Sequence, residues 1–378
     1  MKKITFLALH LGYGGIEKCI SDVANLLSDD YEIEILSIYK IYDKEVFKLN
    51  NNIKITYLTN LKPNREEFKN SLKRFKLITT FKEGIKAIKI LRLKKKVMID
   101  AIKKLDSDII ISTRIFTNKL LGEYGKGYLI GWEHNHHNND KSYQKEFMDS
   151  CKNLDKVILV SKSLKEDYEI LFKENNIKCK CVFIPNFVKN IDNSVSNLNN
   201  NNLISVGRLS YVKGYDDLID VFKIINEKNN NINLNIVGDG EERNNLQNKI
   251  NSLNLSNKVK LHGFLTQDYI NKLYDNSCIY LMTSLTESFG LVLVEAMSKG
   301  IVPIVFDSAQ GAKDIIDNNI NGFLIKNRNK EEMANLVLDL INDKNRLKEL
   351  SNNAYIKSKN FSEKSTKKYW IDLLEEKK

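Results

Sequence analysis

The chain has 378 residues, of which 42% are hydrophobic and 28% are charged, with only 3 prolines and 17 glycines. This composition excludes a disordered chain, and the length suffices for about two domains with cores of their own. No stretch approaches the roughly 18 uninterrupted apolar residues that a membrane-spanning helix needs. The five scattered cysteines are typical of thiols in a reducing cytoplasm.

The first predicted elements are a strand at Ile4–Leu9 and a helix over Ile16–Leu27, joined by a turn that contains Gly14 and Gly15. Glycines let a backbone approach a ligand closely, and the start of a helix favours an anion. The glycine spacing differs from that of the dinucleotide-binding fingerprint. The turn is therefore interpreted either as an anion site or as a tight structural turn.

The net charge of +11 is concentrated in one part of the chain. Residues 191–378 hold 24 basic and 24 acidic side chains, whereas residues 62–104, here called the basic segment, hold 15 basic and 4 acidic ones. Apolar residues recur in the basic segment at helical spacing, among them Ile85, Ile88 and Leu91. One interpretation is a solvated helix with an ordinary core stripe, and the other is an amphipathic surface that rests on an anionic membrane. Nucleic acid is not expected as a partner, because no recognition motif accompanies the charge.

Three of the five histidines, His134, His136 and His137, follow the predicted strand Tyr128–Trp132. One short loop cannot easily surround a metal ion, and no cluster of cysteines or aspartates accompanies it. We therefore predict no metal site and a single functional imidazole, with His134 preferred over its two neighbours.

In the second half, Arg208 and Lys213 follow the predicted strand Leu203–Val206 and precede a helix. Two fixed cations at the carboxyl end of a strand suit a diphosphate, although two solvated surface charges would show the same pattern.

The most specific motif is TESFGLVLVEAM, in which Glu287 lies on a loop after a strand and Glu295 lies on the following helix. That helix is apolar almost all round, so Glu295 requires a buried polar partner. The helix start offers free N–H groups to a phosphate, and Glu295 can accept hydrogen bonds from vicinal hydroxyls.

Strands and helices alternate along the whole chain, which predicts parallel sheets covered on both faces, with ligands at the carboxyl ends of the strands. The predicted architecture is α/β, with two doubly wound, Rossmann-like domains facing a cleft. The first domain is predicted at residues 1–186, an Asn-rich linker at 187–202 and the second domain at 203–360. Residues 361–378 are predicted to form a helix that packs back on the first domain.

The sequence resembles the retaining glycosyltransferases of family four, which have the GT-B fold. The resemblance covers essentially the whole chain and is densest where GRLSYVKG, IVGDGEE, LHGF, TESFGLVLVEAMSKG and NGFLI follow one another. Glu287 and Glu295 match the paired glutamates of the family. One segment departs from the pattern, because the usual Gly-Pro or Gly-Gly loop is Ser308 to Ala312, SAQGA, in this chain.

The resemblance implies a role for each matching residue. Glu287 and His134 would act as catalytic residues near the transferring sugar, and Glu295 would bind the ribose hydroxyls. Arg208 and Lys213 would bind the pyrophosphate of the donor. The remaining donor-binding residues would be Gly14, Gly15, Phe289, Gly290, Leu291 and Val292.

The resulting prediction is a bacterial-type retaining hexosyltransferase of polysaccharide or glycolipid synthesis. It would move a hexose from a nucleotide sugar, expected to be a UDP-sugar, to a hydroxyl of a glycan or lipid-linked acceptor, without a metal or other cofactor. The expected location is cytoplasmic, at the inner face of the cell membrane. The alternatives are a sugar-nucleotide epimerase or hydrolase of the same fold, and a non-catalytic two-lobed sugar-binding protein.

Overall fold

The computed structural model describes residues 1–73, 77–189, 191 and 196–376. They form two compact units. The first unit contains Met1–Leu159 and Lys165–Phe183, and the second contains Val160–Leu164 and the chain from Ile184 onward. Parts of three predicted segments lie outside the described residues: 74–76 of the basic segment, 190 and 192–195 of the linker, and 377–378 of the last helix.

The first unit is built on parallel strands that alternate with helices. The strands are Lys3–Ala8 (β1), Glu32–Tyr39 (β2), Lys54–Thr59 (β3), Ile109–Ser112 (β4), Tyr128–Glu133 (β5), Lys156–Leu159 (β6) and Lys180–Phe183 (β7). The helices are Gly15–Leu27 (α1), Arg65–Lys73 (α2), Leu77–Ile102 (α3), Ile115–Tyr124 (α4), Lys141–Cys151 (α5) and Lys162–Glu174 (α6). The order in the sheet is β3-β2-β1-β4-β5-β6-β7.

The second unit repeats this architecture. Its strands are Asn202–Val206 (β8), Asn233–Val237 (β9), Val259–Leu261 (β10), Ile279–Met282 (β11), Val302–Phe306 (β12) and Phe323–Ile325 (β13), in the order β10-β9-β8-β11-β12-β13. Its helices are Tyr215–Lys228 (α7), Arg243–Ser252 (α8), Gln267–Asp275 (α9), Leu291–Ser298 (α10), Lys330–Asn342 (α11), Lys344–Ser358 (α12) and Glu363–Glu375 (α13). Two parallel sheets with interleaved helices confirm the predicted fold class.

Burial explains why these segments form strands and helices. All residues of β4, β11 and β12 are buried, as expected for central strands of a parallel sheet that has helices on both faces. Helix α7 buries Leu218, Phe222 and Ile225, which recur every three to four residues and therefore share one face. Removal of these apolar side chains from water is the main force that holds each unit together.

The strand order also determines where ligands can bind. In the first unit the chain runs outward from β1 in one direction and from β4 in the other, and in the second unit β8 and β11 play the same roles. In open parallel sheets, ligands bind at the carboxyl ends of the two strands where the order reverses. The loops after β1 and β4, and those after β8 and β11, are therefore the places to look for a site.

The basic segment forms α2 and α3 and differs from an ordinary amphipathic helix pair. Ile90, Met98 and Ile102 are the buried residues of α3. Ile85, Ile88 and Leu91, which the first interpretation assigned to a core stripe, are exposed. That interpretation is therefore wrong for these three residues, because Met98 and Ile102, which the helix does bury, lie further along it, near its C-terminal end. No helix among the described residues is long and apolar enough to cross a membrane.

The last helix, α13, belongs to the second unit. It begins at an N-cap serine, Ser362, and buries Trp370, Leu373 and Leu374. Just before it, Phe361 packs edge-on against Phe289 with ring centroids 5.6 Å apart. The predicted contact of residues 361–378 with the first domain stays a prediction.

Candidate active site

Two basic side chains lie on the segment that follows β8. Arg208 is 73% exposed, and its Nη2 atom lies 3.3 Å from Glu241 Oε2. Such an exposed ion pair stabilises a protein little, so the guanidinium can turn toward another anion. Lys213 ends a 3-10 turn, and its Nζ atom lies 2.5 Å from Glu287 Oε2 in a pair that is mostly shielded from water. The fold thus brings one predicted cation into contact with the first predicted glutamate.

The loop that carries Glu287 is supported by a segment that sequence reasoning did not assign to the site. Gly311 donates its N–H to the Glu287 carbonyl oxygen over 2.9 Å. A Cβ atom on Gly311 would lie 2.4 Å from Phe289 N and from Ser288 O, so only glycine fits without a shift of that backbone. The loop from Ser308 to Ala312, which departs from the family pattern, therefore keeps the one glycine that the Glu287 loop requires.

The start of α10 presents the other predicted donor-binding residues. Gly290 is its N-cap, and Leu291 and Val292 are its first residues, both partly exposed. As a glycine, Gly290 has no side chain to cap the first turn. The Leu293 N–H donates to the Gly290 carbonyl over 2.8 Å, and the N–H groups of the helix start before it can be offered to an anion. Phe289, in contrast, is buried, so any contact that it makes with a ligand must come from its backbone.

Glu295 is the fifth residue of α10 and is partly buried. Burial raises the pKa of the Tyr274 phenol well above its usual value, and the nearby Glu295 carboxylate adds to this shift. Tyr280, whose hydroxyl donates to the Val206 carbonyl over 3.0 Å, responds to burial and to Glu295 in the same way. The Glu295 carboxylate is thus close enough to these two buried phenols to affect them electrostatically.

In the first unit, Gly14 is the N-cap of α1 and Gly15 is its first residue. A Cβ atom on Gly14 would lie 1.9 Å from Glu17 Oε2, so the absence of a side chain makes room for this carboxylate. Glu17 is 3% exposed, and Arg114 Nη2 lies 2.6 Å from its Oε1 atom. Sequence reasoning missed both residues. The one feature of the sequence that could have indicated them is an arginine two residues after the predicted strand that became β4.

His134 follows β5 and differs from its two neighbours. Its ring contacts the Trp132 ring with centroids 4.4 Å apart and the planes tilted by 46°, and its Nε2 atom is shielded from solvent without a hydrogen-bond partner among the described residues. Burial lowers the pKa of His134 to about 3, and the positive charge of Arg114 adds to the shift. The imidazole is therefore neutral near pH 7, and its ring can exchange hydrogen bonds with a ligand without carrying charge.

His136 and His137 are both engaged in hydrogen bonds, His136 within its own loop and His137 within the loop and with Asp167 of α6. His137 Nδ1 accepts from the Asn139 N–H over 3.0 Å, so its Nε2 carries the proton and donates to Asp167 over 3.1 Å. His136 Nδ1 accepts from the Asn138 N–H over 2.9 Å. These bonds shape the turn after β5, which leaves His134 as the histidine of this loop that has a shielded nitrogen to offer.

Comparisons with known proteins agree with this geometry. Residues 186–357 match the family model of the glycosyl transferases group 1. The chain is 29% identical to an uncharacterized glycosyltransferase of Haemophilus influenzae, covering 99% of this chain and 100% of the relative. It is 28% identical, over 100% of this chain and 99% of the relative, to a Campylobacter jejuni N-acetyl-D-galactosaminyltransferase whose name specifies a PP-undecaprenol-linked substrate.

A solved structure shows the same fold. TarM superposes with a TM-score of 0.79 at 19% identity, covering 100% of this chain and 99% of TarM. TarM of S. aureus, as a mutant, has also been crystallised with UDP.

The chain forms two doubly wound units. In the second unit, the loop with Glu287 and the start of α10 follow β11, one of the two strands at which the strand order reverses. This architecture is that of the GT-B class of glycosyltransferases. Residues 186–357 are similar to the group 1 glycosyl transferases, and the similarity of the whole chain to named glycosyltransferases supports a transferase. The resemblance to the retaining family is thereby confirmed, and the epimerase, hydrolase and sugar-binding alternatives are not favoured. The roles of individual residues stay predictions.

Proposed function

We propose that the protein transfers a hexose from a UDP-sugar to a hydroxyl of a glycan or lipid-linked acceptor in the synthesis of a cell-surface polysaccharide or glycolipid. The main support for this proposal is the contact between Lys213 and Glu287, which follow β8 and β11, the strands at which the order in the second unit reverses. This contact places a cation and a carboxylate close to the helix start at Gly290. The named substrate of the Campylobacter relative and the UDP bound to TarM support a lipid-linked acceptor and a UDP-sugar.

In this proposal, the second unit binds the donor. Arg208 and Lys213 pair with the two phosphates, and the first-turn N–H groups of α10 complete the anion site. Glu295 accepts hydrogen bonds from the ribose hydroxyls, and Glu287 contacts the transferring sugar. Gly14, Gly15 and His134 are the residues of the first unit to which the family resemblance assigns a role.

The reaction retains the anomeric configuration, as in the family that the sequence resembles. The bond between sugar C1 and the diphosphate oxygen breaks, and its electron pair stays on the leaving diphosphate. The acceptor oxygen bonds to C1 from the same face, and its proton passes to the leaving diphosphate. Arg208, Lys213 and the start of α10 stabilise the charge that develops there.

We propose that the transfer needs no dedicated metal ion. Ligand atoms of His136, His137 and Asp167 lie within 4.8 Å of one another. However, both nitrogens of His137 are already bonded, one to Asn139 and one to Asp167. This group is therefore interpreted as part of the loop structure.

The donor proposal is tested by thermal unfolding of the protein with a panel of nucleotide sugars. We expect UDP-sugars to raise the midpoint, because a ligand at about 100 times its Kd stabilises the folded state by about 2.7 kcal/mol. The stabilising donor is then incubated with lipid-linked glycan acceptors, with and without EDTA. Acceptor-dependent product that is insensitive to EDTA is expected. Release of free sugar without product would favour a hydrolase instead.

We also propose that the basic segment docks the enzyme on an anionic membrane. Three apolar side chains near the start of α3 are far more exposed than is usual: Leu77 at 82%, Ile78 at 76% and Phe81 at 72%. At about 100° per residue, Leu77, Phe81 and Ile88 fall on one stripe of α3. The same helix carries exposed lysines, and exposed apolar side chains together with basic ones are typical of a helix that lies in a lipid interface.

The charge of the basic segment fits such a surface. Among the described residues, the exposed cations are Lys62, Lys69, Lys73, Lys82, Lys86, Lys89, Arg92, Lys95, Lys96, Lys103 and Lys104. Each cation near an anionic surface contributes about 1 kcal/mol, so even a part of this set suffices for reversible binding. An enzyme docked in this way would meet a lipid-linked acceptor directly.

A further inference from the structure

We infer that Arg328 is a positioning residue for Glu287, and that it acts by fixing the two loops that hold Glu287 in place. The inference rests on the proposed function, because it assumes that Glu287 contacts the transferring sugar. It adds to that function a residue that lies outside the motifs of the sequence analysis. Arg328, Glu287 and the groups that link them all belong to the second unit.

The first observation is the set of hydrogen bonds that the Arg328 guanidinium donates. Its Nη2 atom donates to the Thr283 carbonyl oxygen over 2.9 Å, and its Nη1 atom donates to the Ser284 carbonyl oxygen over 3.1 Å. Nη1 also donates to Ser308 Oγ over 2.8 Å, and Nη2 also donates to the Asp217 carboxylate. The two terminal nitrogens carry four N–H bonds, which therefore match four acceptors.

The second observation is where these groups lie in the sheet. Thr283 and Ser284 directly follow β11, and Ser308 follows β12. Arg328 itself follows β13. The three strands are parallel neighbours in the order β11-β12-β13, so their carboxyl ends meet at one edge, the edge where ligands bind in such sheets. Arg328 thus connects three loops at that edge.

Two of these loops determine the position of Glu287. In the loop after β11, Glu287 stands three residues after Ser284. In the loop after β12, Gly311 donates its N–H to the Glu287 carbonyl oxygen over 2.9 Å. The Ser308 hydroxyl donates to the Ser284 carbonyl oxygen over 2.7 Å and so joins the two loops beside the guanidinium. A displacement of Arg328 would therefore reach Glu287 through both loops.

Arg328 is itself held in one orientation. Its Cζ atom lies 4.7 Å from the centroid of the Phe306 ring, which is buried at the end of β12. A guanidinium on an aromatic face gains a favourable interaction that depends on its placement. Asn327 and Arg328 also have φ angles of 54° and 52°, a left-handed conformation that is costly for a residue such as arginine. The contacts of the guanidinium offset this cost, which indicates that they dictate the local backbone.

A lysine at this position would keep the charge and lose the geometry. Its ammonium is a compact point charge with three N–H bonds, whereas the planar guanidinium reaches two carbonyls, a hydroxyl and a carboxylate at once. We therefore expect Arg328→Lys to retain an ion pair with Asp217 and to release the loops after β11 and β12.

The test measures the rate of transfer and the affinity for UDP in the same variants. We expect Arg328→Lys to lower kcat by about 10- to 100-fold, because a small displacement of a group at the reacting centre costs about that much. The Kd for free UDP, measured by titration calorimetry, should stay within about twofold of the wild type, since UDP has no transferring sugar for Glu287 to contact. Lower stability alone would not separate kcat from UDP affinity in this way.

A double-mutant cycle shows whether Arg328 acts through Glu287. In a protein that already carries Glu287→Gln, Arg328→Lys should lower kcat by less than about twofold, because the carboxylate that it positions is then absent. Two residues with independent roles would instead multiply their losses.

Lys330→Gln is the matched control. Lys330 Nζ lies 2.6 Å from Asp217 Oδ1, so this variant also removes a cation from Asp217, but it leaves the bonds to the loops after β11 and β12 in place. It should not change kcat, and thermal unfolding reports the stability of each variant. Arg328→Gln, which removes the charge as well, should lower kcat at least as far as Arg328→Lys.

Four results would overturn the inference: a wild-type kcat in Arg328→Lys, an equal loss in Lys330→Gln, an undiminished loss when Glu287→Gln is already present, or a Kd for UDP that rises as far as kcat falls. The last result would mean that Arg328 contacts the donor directly. If the wild type transfers no sugar, the proposed function fails together with the inference. If the wild type transfers sugar and Glu287→Gln slows it, but Arg328→Lys does not, only the inference fails.

Discussion

At the scale of single residues, the pair formed by Lys213 and Glu287 concentrates the chemistry of the second unit. Each side chain is mostly shielded, so each depends on the other for charge compensation until a ligand arrives. A phosphate would compete for Lys213, and a sugar hydroxyl would compete for Glu287. Donor binding would thus replace the ion pair between Lys213 and Glu287 with two contacts, one between Lys213 and a phosphate and one between Glu287 and a sugar hydroxyl.

We predict that Glu287→Gln lowers the rate of transfer by about 100-fold or more, because a neutral amide cannot stabilise the charge that develops at the sugar. Glu295→Gln should also lose most of the transfer, through weaker ribose binding. Steady-state kinetics with the identified donor provide the measurement, and Glu349→Gln, an exposed glutamate of α12, is the matched control. Near-normal turnover in both site variants would refute these roles.

We predict that Lys213→Ala and Arg208→Ala each raise the Kd for UDP about tenfold, because both remove a charge-assisted bond to phosphate. Free UDP is the chosen probe, since a loss that appeared only with the sugar attached would point to a sugar contact. Lys223→Ala, an exposed lysine of α7, serves as the control. Unchanged UDP affinity in both site variants would require a phosphate site elsewhere in the protein.

Arg208, Lys213, Glu287 and Glu295 could be predicted from the sequence, because each belongs to a short motif that follows a predicted strand. The contact between Arg114 and Glu17 could not be predicted from the sequence. They are 97 residues apart, and they meet only because β4 pairs directly with β1 in the sheet. Strand order is a tertiary property, and a local pattern carries no information about it.

At the scale of elements, the alternation of strands and helices was predictable because apolar runs in a parallel sheet are nearly continuous. The strand predicted at Ile4–Leu9 forms as Lys3–Ala8, one residue earlier. β7, with the sequence KCVF, was not predicted, because it is short and begins with a lysine. The apolar spacing on α3 was read correctly as helical, but spacing alone cannot say whether a stripe meets the sheet or the solvent.

The Ser308 to Ala312 loop gives a prediction at this scale. A methyl group on Gly311 would push into the backbone of Ser288 and Phe289. We therefore expect Gly311→Ala to move the Glu287 loop, lower the rate of transfer and reduce the free energy of unfolding by about 1–3 kcal/mol. Kinetics and thermal unfolding measure both effects.

The control for this variant is Gly84→Ala. Gly84 lies inside α3, where alanine favours the helix and where a Cβ atom would meet only the Phe68 ring, at 3.4 Å. This control should leave transfer unchanged. Transfer by Gly311→Ala at the rate of the wild type would show that the loop tolerates the shift and does not support Glu287.

At the scale of the whole molecule, the charge divides as the chain does. Residues 191–378, which hold nearly all of the group 1 glycosyltransferase match, have no net charge, whereas the basic segment alone accounts for the excess. A donor site that handles a small nucleotide sugar needs only a few fixed cations. A surface that must find and hold a membrane needs many, and it benefits from exposed apolar side chains among them.

We predict that the protein co-sediments with vesicles that contain anionic lipid, and that added salt weakens this binding. Replacing Lys86, Lys89, Lys95 and Lys96 by glutamine should abolish most of the binding, because it removes four exposed cations from α3, the helix that also carries the exposed apolar side chains. As a control of equal charge, the exposed lysines Lys260, Lys348, Lys364 and Lys368 of the second half are replaced in the same way.

Separately, Leu77→Gln with Phe81→Gln should weaken binding with all charges kept, since shallow insertion is then lost. Equal binding to neutral vesicles, or an equal loss in the control, would contradict docking through the basic segment and favour an acceptor in solution.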